Sequence, residues 1–302
     1  KQAIFTGSDG NRLVADVFGV GGAAVLLLHG GGQTRHAWRA TAAAIADANR
    51  TAYTLDQRGH GDSEWIEGGA YTFQDFAADV REVAVILAAN GGAKPVVIGA
   101  SLGGIAALLA QGEADAAGLP PLFAALVLVD ITPRVDRAGI DKIQRFMRTN
   151  AREGFESVAE AAEAVAAYLP HRPRPSSHDG LKKNLRRAAN GRWFWHWDPR
   201  FIEGPHSVDS RADTEDALLA AAKGLRQPAL LVRGASSEVV QDAHAREFLE
   251  LAPHAEYLDV GGAHHMVAGD RNDNFAAAIL DFLARLDHRD VANELPSRQL
   301  PG

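Results

Sequence analysis

The 302-residue chain predicts an α/β architecture, a mostly parallel sheet of about eight strands wrapped by helices and interrupted by an inserted helical cap. Short aliphatic or β-branched runs alternate with helix-period stretches through the first part of the chain. The alternation stops between Asp130 and Gln227, where no strand-like run stands out, and it resumes with Ala229 to Val232. Expected boundaries are a core of 1–130 and 228–286, a cap of 131–227 and a tail of 287–302 that has lost its periodicity.

Element by element, Ile4 to Thr6 and Leu13 to Phe18 flank Ser8-Asp9-Gly10-Asn11, whose Asp-Gly is a tight-turn signal, so the chain opens with an antiparallel hairpin. Ala24 to Leu28, Thr51 to Leu55, Val96 to Ile98, Ala125 to Val129, Ala229 to Val232 and Ala255 to Leu258 read as buried strands. A helix from about Phe73 to Ala89 places Phe76, Val80, Val83 and Leu87 on one face, with Asn90-Gly91 as its stop. Phe275, Ile279, Phe282 and Leu286 repeat that logic in a C-terminal helix.

Composition narrows the function classes. A formal net charge of −7 argues against a nucleic-acid surface. The absence of cysteine excludes disulfides, zinc–thiolate sites, iron–sulfur clusters and a cysteine nucleophile. Apolar runs are far shorter than the ~20 residues that span a bilayer, so no membrane role is expected and a cytoplasmic location is the default. The cap carries 17 basic against 13 acidic residues, about +4, while the remainder is about −11. Such an imbalance reads as solvated helix faces or as a field that draws an anionic substrate under the cap.

The sharpest local feature is Gly99-Ala100-Ser101-Leu102-Gly103-Gly104, directly after a strand and before the helical run Ile105 to Ala110. A serine at such a bend takes a strained backbone, and side chains two before and two after it would collide with neighbours, so glycines flank it. The bend lifts the hydroxyl clear of the sheet and aims a helix N-terminus at it, which makes Ser101 a candidate nucleophile and the Leu102 N–H an oxyanion donor. His29-Gly30-Gly31-Gly32 follows the strand Ala24 to Leu28 and supplies the second donor, assigned to Gly31. His29 reads as a residue that holds this loop rather than as a base.

With these motifs in place, the chain resembles the α/β-hydrolase superfamily from the opening hairpin to Leu286. Asp56-Gln57-Arg58-Gly59-His60-Gly61-Asp62-Ser63 is similar to the D-x-R-G-x-G-x-S loop of its esterase, haloperoxidase, enol-lactonase and C–C hydrolase branches, where that loop is structural. The resemblance implies a chain order of nucleophile, acid, histidine. Gly261-Gly262-Ala263-His264-His265-Met266 lies where the histidine is expected, and His265, immediately before an apolar residue, matches better than His264. Two carboxylates compete for the acid: Glu238, at the position aligned after the strand Ala229 to Val232, and Asp130, at the end of the preceding strand. Glu238 is the expected choice, since an extra methylene is tolerable if the loop adjusts.

Trp193-Phe194-Trp195-His196-Trp197-Asp198 concentrates three of the five tryptophans, and rings at that density either seal the cap or line the pocket beneath it. Trp38, Trp195 and Met266 are the candidate substrate contacts. A serine at position 101 argues against dehalogenase and epoxide hydrolase chemistry, which in this superfamily uses a carboxylate nucleophile. The expected activity is hydrolysis of an ester, thioester or lactone of a small organic acid by a serine carboxylesterase or lactonase, without cofactor or metal. C–C bond hydrolysis, perhydrolysis and a non-catalytic ligand-binding role share the same residues and stay open. A small molecule is the expected partner, and the sequence leaves the oligomeric state open.

Overall fold

The computed structural model describes residues 1–170, 174, 177–208, 214–261 and 273–294, the last without the side chains of 273, 274 and 288–294. Eight strands form the main sheet: β1 (Gln2–Thr6), β2 (Arg12–Phe18), β3 (Ala24–Leu28), β4 (Thr51–Asp56), β5 (Val96–Ala100), β6 (Ala125–Val129), β9 (Ala229–Gly234) and β10 (Glu256–Val260). Their spatial order is β1-β2-β4-β3-β5-β6-β9-β10. The β1–β2 and β2–β4 pairs are antiparallel and every later pair is parallel. β3, β5 and β6 carry almost unbroken apolar runs because both of their faces are covered.

One face of the sheet is covered by α2 (Phe73–Gly91), α3 (Leu102–Ala116), α8 (Thr214–Gly224) and α9 (Asp242–Leu251), the other by α1 (Arg39–Asp47) and α10 (Asp273–Glu294). In α2 the predicted stripe of Phe76, Val80, Val83 and Leu87 is buried, each side chain contributing roughly 1.5–3 kcal/mol by leaving water. Thr72 and Asp75 close its N-terminus as a capping box. The helix runs one residue further than its expected stop, and Gly92, at φ 70°, makes the left-handed cap. Phe275, Ile279, Phe282 and Leu286 are buried in α10 as expected. The helix backbone continues to Glu294, past the point where its apolar period ends.

Between β6 and β9 lie α4 (Arg137–Arg148), α5 (Val158–Tyr168), α6 (Asp179–Lys182) and α7 (Arg200–Glu203), followed by α8. This stretch is not wholly helical. β7 (Leu185–Arg187) and β8 (Trp193–Trp195) form an antiparallel hairpin, and Phe155 bridges to Trp193 beside it. Three-residue strands are too short to show a period of two, so no strand pattern marks them along the chain. α8 packs on α3 so closely that a β-carbon on Gly112 would collide with Ala221, which puts the last helix of the insertion in the core layer. Among the described residues no helix is long and apolar enough to cross a membrane.

Candidate active site

β5 ends at Ala100, and Ser101 turns the chain into α3 with φ 46° and ψ −113°. A non-glycine residue in that region costs on the order of 1–3 kcal/mol, so the surroundings must impose it. They do so through close approach. A β-carbon on Gly99 would lie 2.5 Å from the Gly103 carbonyl, and one on Gly103 would lie 2.5 Å from Leu28 Cβ. A side chain on Gly104 would collide with Ile131. The Ser101 N–H donates to Val129 O at 3.2 Å, and its carbonyl accepts from Ile105 at 2.9 Å, anchoring the bend to β6 on one side and α3 on the other. The first N–H groups of α3, beginning with Leu102, have no intrahelical acceptor.

The loop after β3 meets this bend. Gly30 sits against Ser101, a β-carbon there lying 3.5 Å from Ser101 Cβ. The three glycine N–H groups of the loop have different fates. That of Gly30 donates to Gln33 Oε1 at 3.1 Å, and that of Gly32 to His60 Nε2 at 3.2 Å. No acceptor among the described residues takes the Gly31 N–H, so the loop leaves one donor uncommitted, at the glycine selected by the sequence. Phe201 covers Gly31 and Met147 abuts Gly32, so α7 and α4 of the insertion form the immediate roof.

Two buried histidines hold the loop. His29 Nε2 accepts from the Gln57 N–H at 3.1 Å, which places its proton on Nδ1, 2.9 Å from Gly30 O. His60 repeats the pattern, accepting at Nε2 from Gly32 and contacting Arg58 O through Nδ1 at 2.9 Å. A second proton on either ring would remove an acceptor. Burial pushes His29 down to about 4 and His60 down to about 3, the neighbouring His29 adding to the latter. Neither ring faces a reacting group, and both are braces. The rest of the Asp56 to Ser63 loop turns inward too: Asp56 accepts from the Arg35 N–H at 2.6 Å and the Asp62 N–H at 2.9 Å, and Arg58 pairs with Asp79 at 2.7 Å.

The two candidate acids occupy contrasting places. Asp130 follows β6 directly, fully buried, at φ 50°, with its N–H donating to Val232 O at 2.7 Å. Its carboxylate accepts from the Gly234 N–H at 3.0 Å and the Ser237 hydroxyl at 2.6 Å. Ser237 Oγ in turn accepts from the Val239 and Val240 N–H groups at 3.1 Å, so Asp130 organises the turn after β9. Glu238, inside that turn, has a side chain 43% exposed and an ion pair with Lys142 at 3.2 Å. His264, His265 and Met266 lie outside the described residues.

Of the expected substrate contacts, Trp38 is fully buried on the α1/α10 face of the sheet, 6.1 Å from the Phe275 ring, and is not brought to Ser101. Trp195 is buried within the insertion, edge-on to Phe155 at 5.1 Å and to Phe146 at 5.8 Å. Sequence reasoning missed Phe201, Met147 and Gln33, the residues that shape the loop around Gly31. No periodicity marks a residue that reaches the site from an insertion more than 100 positions away in the chain. No group of three or more metal-ligating side chains occurs among the described residues.

A strained serine between strand and helix, an uncommitted glycine N–H beside it and a mostly parallel eight-stranded sheet define a class. The chain belongs to the α/β-hydrolase fold family, whose model matches residues 23–271. It is 33% identical over 234 residues to the esterase Rv0045c of Mycobacterium tuberculosis, covering 76% of this chain and 72% of that protein. It is also 29% identical over 234 residues to the 2-(acetamidomethylene)succinate hydrolase of Mesorhizobium japonicum, covering 77% and 78% of the two chains. A crystal structure of E-2-(acetamidomethylene)succinate hydrolase superimposes with a TM-score of 0.78 at 22% identity, covering 94% of this chain and 99% of that one. These relatives support a hydrolase of the α/β family.

Proposed function

We propose that the protein is a serine hydrolase of carboxylesterase or lactonase type, cleaving an ester, thioester or lactone of a small organic acid. The observation that carries this is Ser101 held at φ 46° beside a Gly31 N–H that no described group accepts. In the reaction, Ser101 Oγ attacks the carbonyl carbon as His265 takes its proton, and the Gly31 and Leu102 N–H groups receive the oxyanion. Collapse expels the alcohol or thiol, which takes the proton from His265. Water, deprotonated by the same imidazole, then attacks the acyl-serine, releasing the acid and restoring Ser101.

For the carboxylate that orients His265 we assign Asp130 in preference to Glu238. A fully buried carboxylate, fixed by Gly234 and Ser237, acts on an imidazolium with little solvent screening, whereas the Glu238 charge is shared with Lys142 at the surface. Phe201 and Met147 against the glycine loop favour a compact, largely apolar acyl pocket. A succinate-derived substrate in one relative agrees with a small organic acid. Steady-state turnover of short-chain p-nitrophenyl esters by wild type and Ser101→Ala tests the reading. Serine-dependent turnover is the expected result, and turnover that survives Ser101→Ala removes it.

A further inference from the structure

Directly after β9 the chain makes a tight turn in which the Ser237 N–H donates to Gly234 O at 2.9 Å. Both ends of that turn reach one carboxylate: the Gly234 N–H meets Asp130 Oδ1 at 3.0 Å, and the Ser237 hydroxyl lies 2.6 Å from Asp130 Oδ2. A serine hydroxyl has one proton and two lone pairs. Both lone pairs are taken, by the Val239 and Val240 N–H groups at 3.1 Å each. The proton therefore has a single direction left, towards Asp130, and the polarity of this bond is fixed by the count of donors and acceptors. Two N–H groups on the oxygen polarise its O–H further, and 2.6 Å falls in the short, charge-assisted range for a hydroxyl on a carboxylate.

The turn does not rest on this hydroxyl alone. The Asp136 N–H donates to Val239 O at 2.8 Å and Arg233 Nε to Val240 O at 2.7 Å, while α4 lies so close that a β-carbon on Gly139 would collide with Glu238 O. Charged groups on the elements around the turn are engaged with other partners. Arg233 pairs with Asp242 and with Asp259 at 3.1 Å, and Glu238 pairs with Lys142 at 3.2 Å. The Asp136 carboxylate accepts from the Gly139 N–H at 3.0 Å and from the Gln241 amide at 2.6 Å.

We propose that Ser237 is a positioning residue of the hydrolytic reaction: its hydroxyl fixes the plane of the Asp130 carboxylate and draws off part of its charge, and so sets the basicity of the imidazole that this carboxylate orients. The proposal rests on the assignment of Asp130 as the acid that serves His265. A carboxylate gripped at Oδ1 by backbone and at Oδ2 by a side chain cannot rotate about its own axis without breaking one of the two bonds. Removing the Oδ2 donor leaves more negative charge to face the imidazolium. The histidine then holds its proton to higher pH, and the acid limb of kcat/KM moves up.

The test is the pH profile of kcat/KM on p-nitrophenyl acetate, a substrate that does not titrate, for wild type, Ser237→Ala, Ser237→Cys and Ser237→Thr, with thermal unfolding to confirm that each folds. The acid limb of Ser237→Ala is expected to rise by about half a pH unit or more. Ser237→Cys, of similar size and with a weaker donor, shifts it in the same direction, and Ser237→Thr, which keeps the hydroxyl, restores it to within about 0.2 unit. A limb that stays at the wild-type position or moves down in both Ser237→Ala and Ser237→Cys overturns the proposal, as does a Ser237→Thr limb displaced as far as that of Ser237→Ala. Asp130→Asn separates this failure from failure of the parent assignment. A loss of about 10³ or more in kcat beside an unmoved Ser237→Ala limb overturns the role of Ser237 alone, whereas near-wild-type turnover of Asp130→Asn removes Asp130 as the acid and this proposal with it.

Discussion

Two loops flank Ser101 and they are built on opposite principles. The loop after β3 is held by neutral groups, the His29 and His60 imidazoles and the Gln33 amide, which consume the Gly30 and Gly32 N–H groups and leave that of Gly31. The turn after β9 is held by a charge, the buried Asp130 carboxylate, through Gly234 and Ser237. Neutral braces suit a place where negative charge develops during reaction, because a fixed ion there would interact with substrate before any transition state forms. A buried carboxylate suits the side where a positive imidazolium must be stabilised. On the proposed mechanism the neutral braces lie beside the developing oxyanion and the buried carboxylate serves the imidazolium.

The largest effect that can break this contrast is at the nucleophile. Ser101→Ala is expected to lower ester turnover by three orders of magnitude or more, measured by steady-state kinetics. Next is the comparison of acids. Asp130→Asn should reduce kcat by about 10³–10⁴, while Glu238→Gln stays within about twofold; the reverse ranking would transfer the orienting role to Glu238.

The neutral braces give a smaller, pH-dependent signal. His29 and His60 have folded-state values of about 4 and about 3, below the ordinary histidine range, so the unfolded chain binds more protons as pH falls. Their stabilisation is complete above about pH 6.5 and is lost as pH drops towards those folded values, with a slope approaching two protons. Denaturant titrations between pH 7 and 5 should show this loss, and His60→Gln should reduce the slope by about one proton. A slope unchanged by that substitution would remove His60 from the account. The smallest effect is at the surface: Lys142→Ala, which breaks the half-exposed pair with Glu238, should change unfolding free energy by less than about 1 kcal/mol.

These two loops also differ in how much of them could be read from the chain. The bend at Ser101 was legible because one of its constraints is local: a β-carbon on Gly99 would meet the Gly103 backbone four residues on, while the contact of Gly103 with Leu28 comes from the neighbouring β3. Gly31 was legible by position, although the reason it alone is uncommitted lies in Gln33 and His60, the latter 29 residues further on. The surroundings of the two candidate acids were less legible. Spacing after β9 points to Glu238, whereas the burial of Asp130 follows from β6 and β9 lying side by side, a pairing across roughly a hundred residues. The roof was not legible at all, because Met147 and Phe201 meet the glycine loop only through the path of the insertion.

The central claim is that Ser101 is an activated nucleophile, and the most direct measurement is intact-mass analysis after a fluorophosphonate probe, with wild type and Ser101→Ala side by side. The account predicts that wild type gains one phosphonyl group with loss of fluoride, mapped to the peptide that carries Ser101, and that the variant gains none. Equal labelling of both proteins, or no labelling of folded wild type, would contradict it.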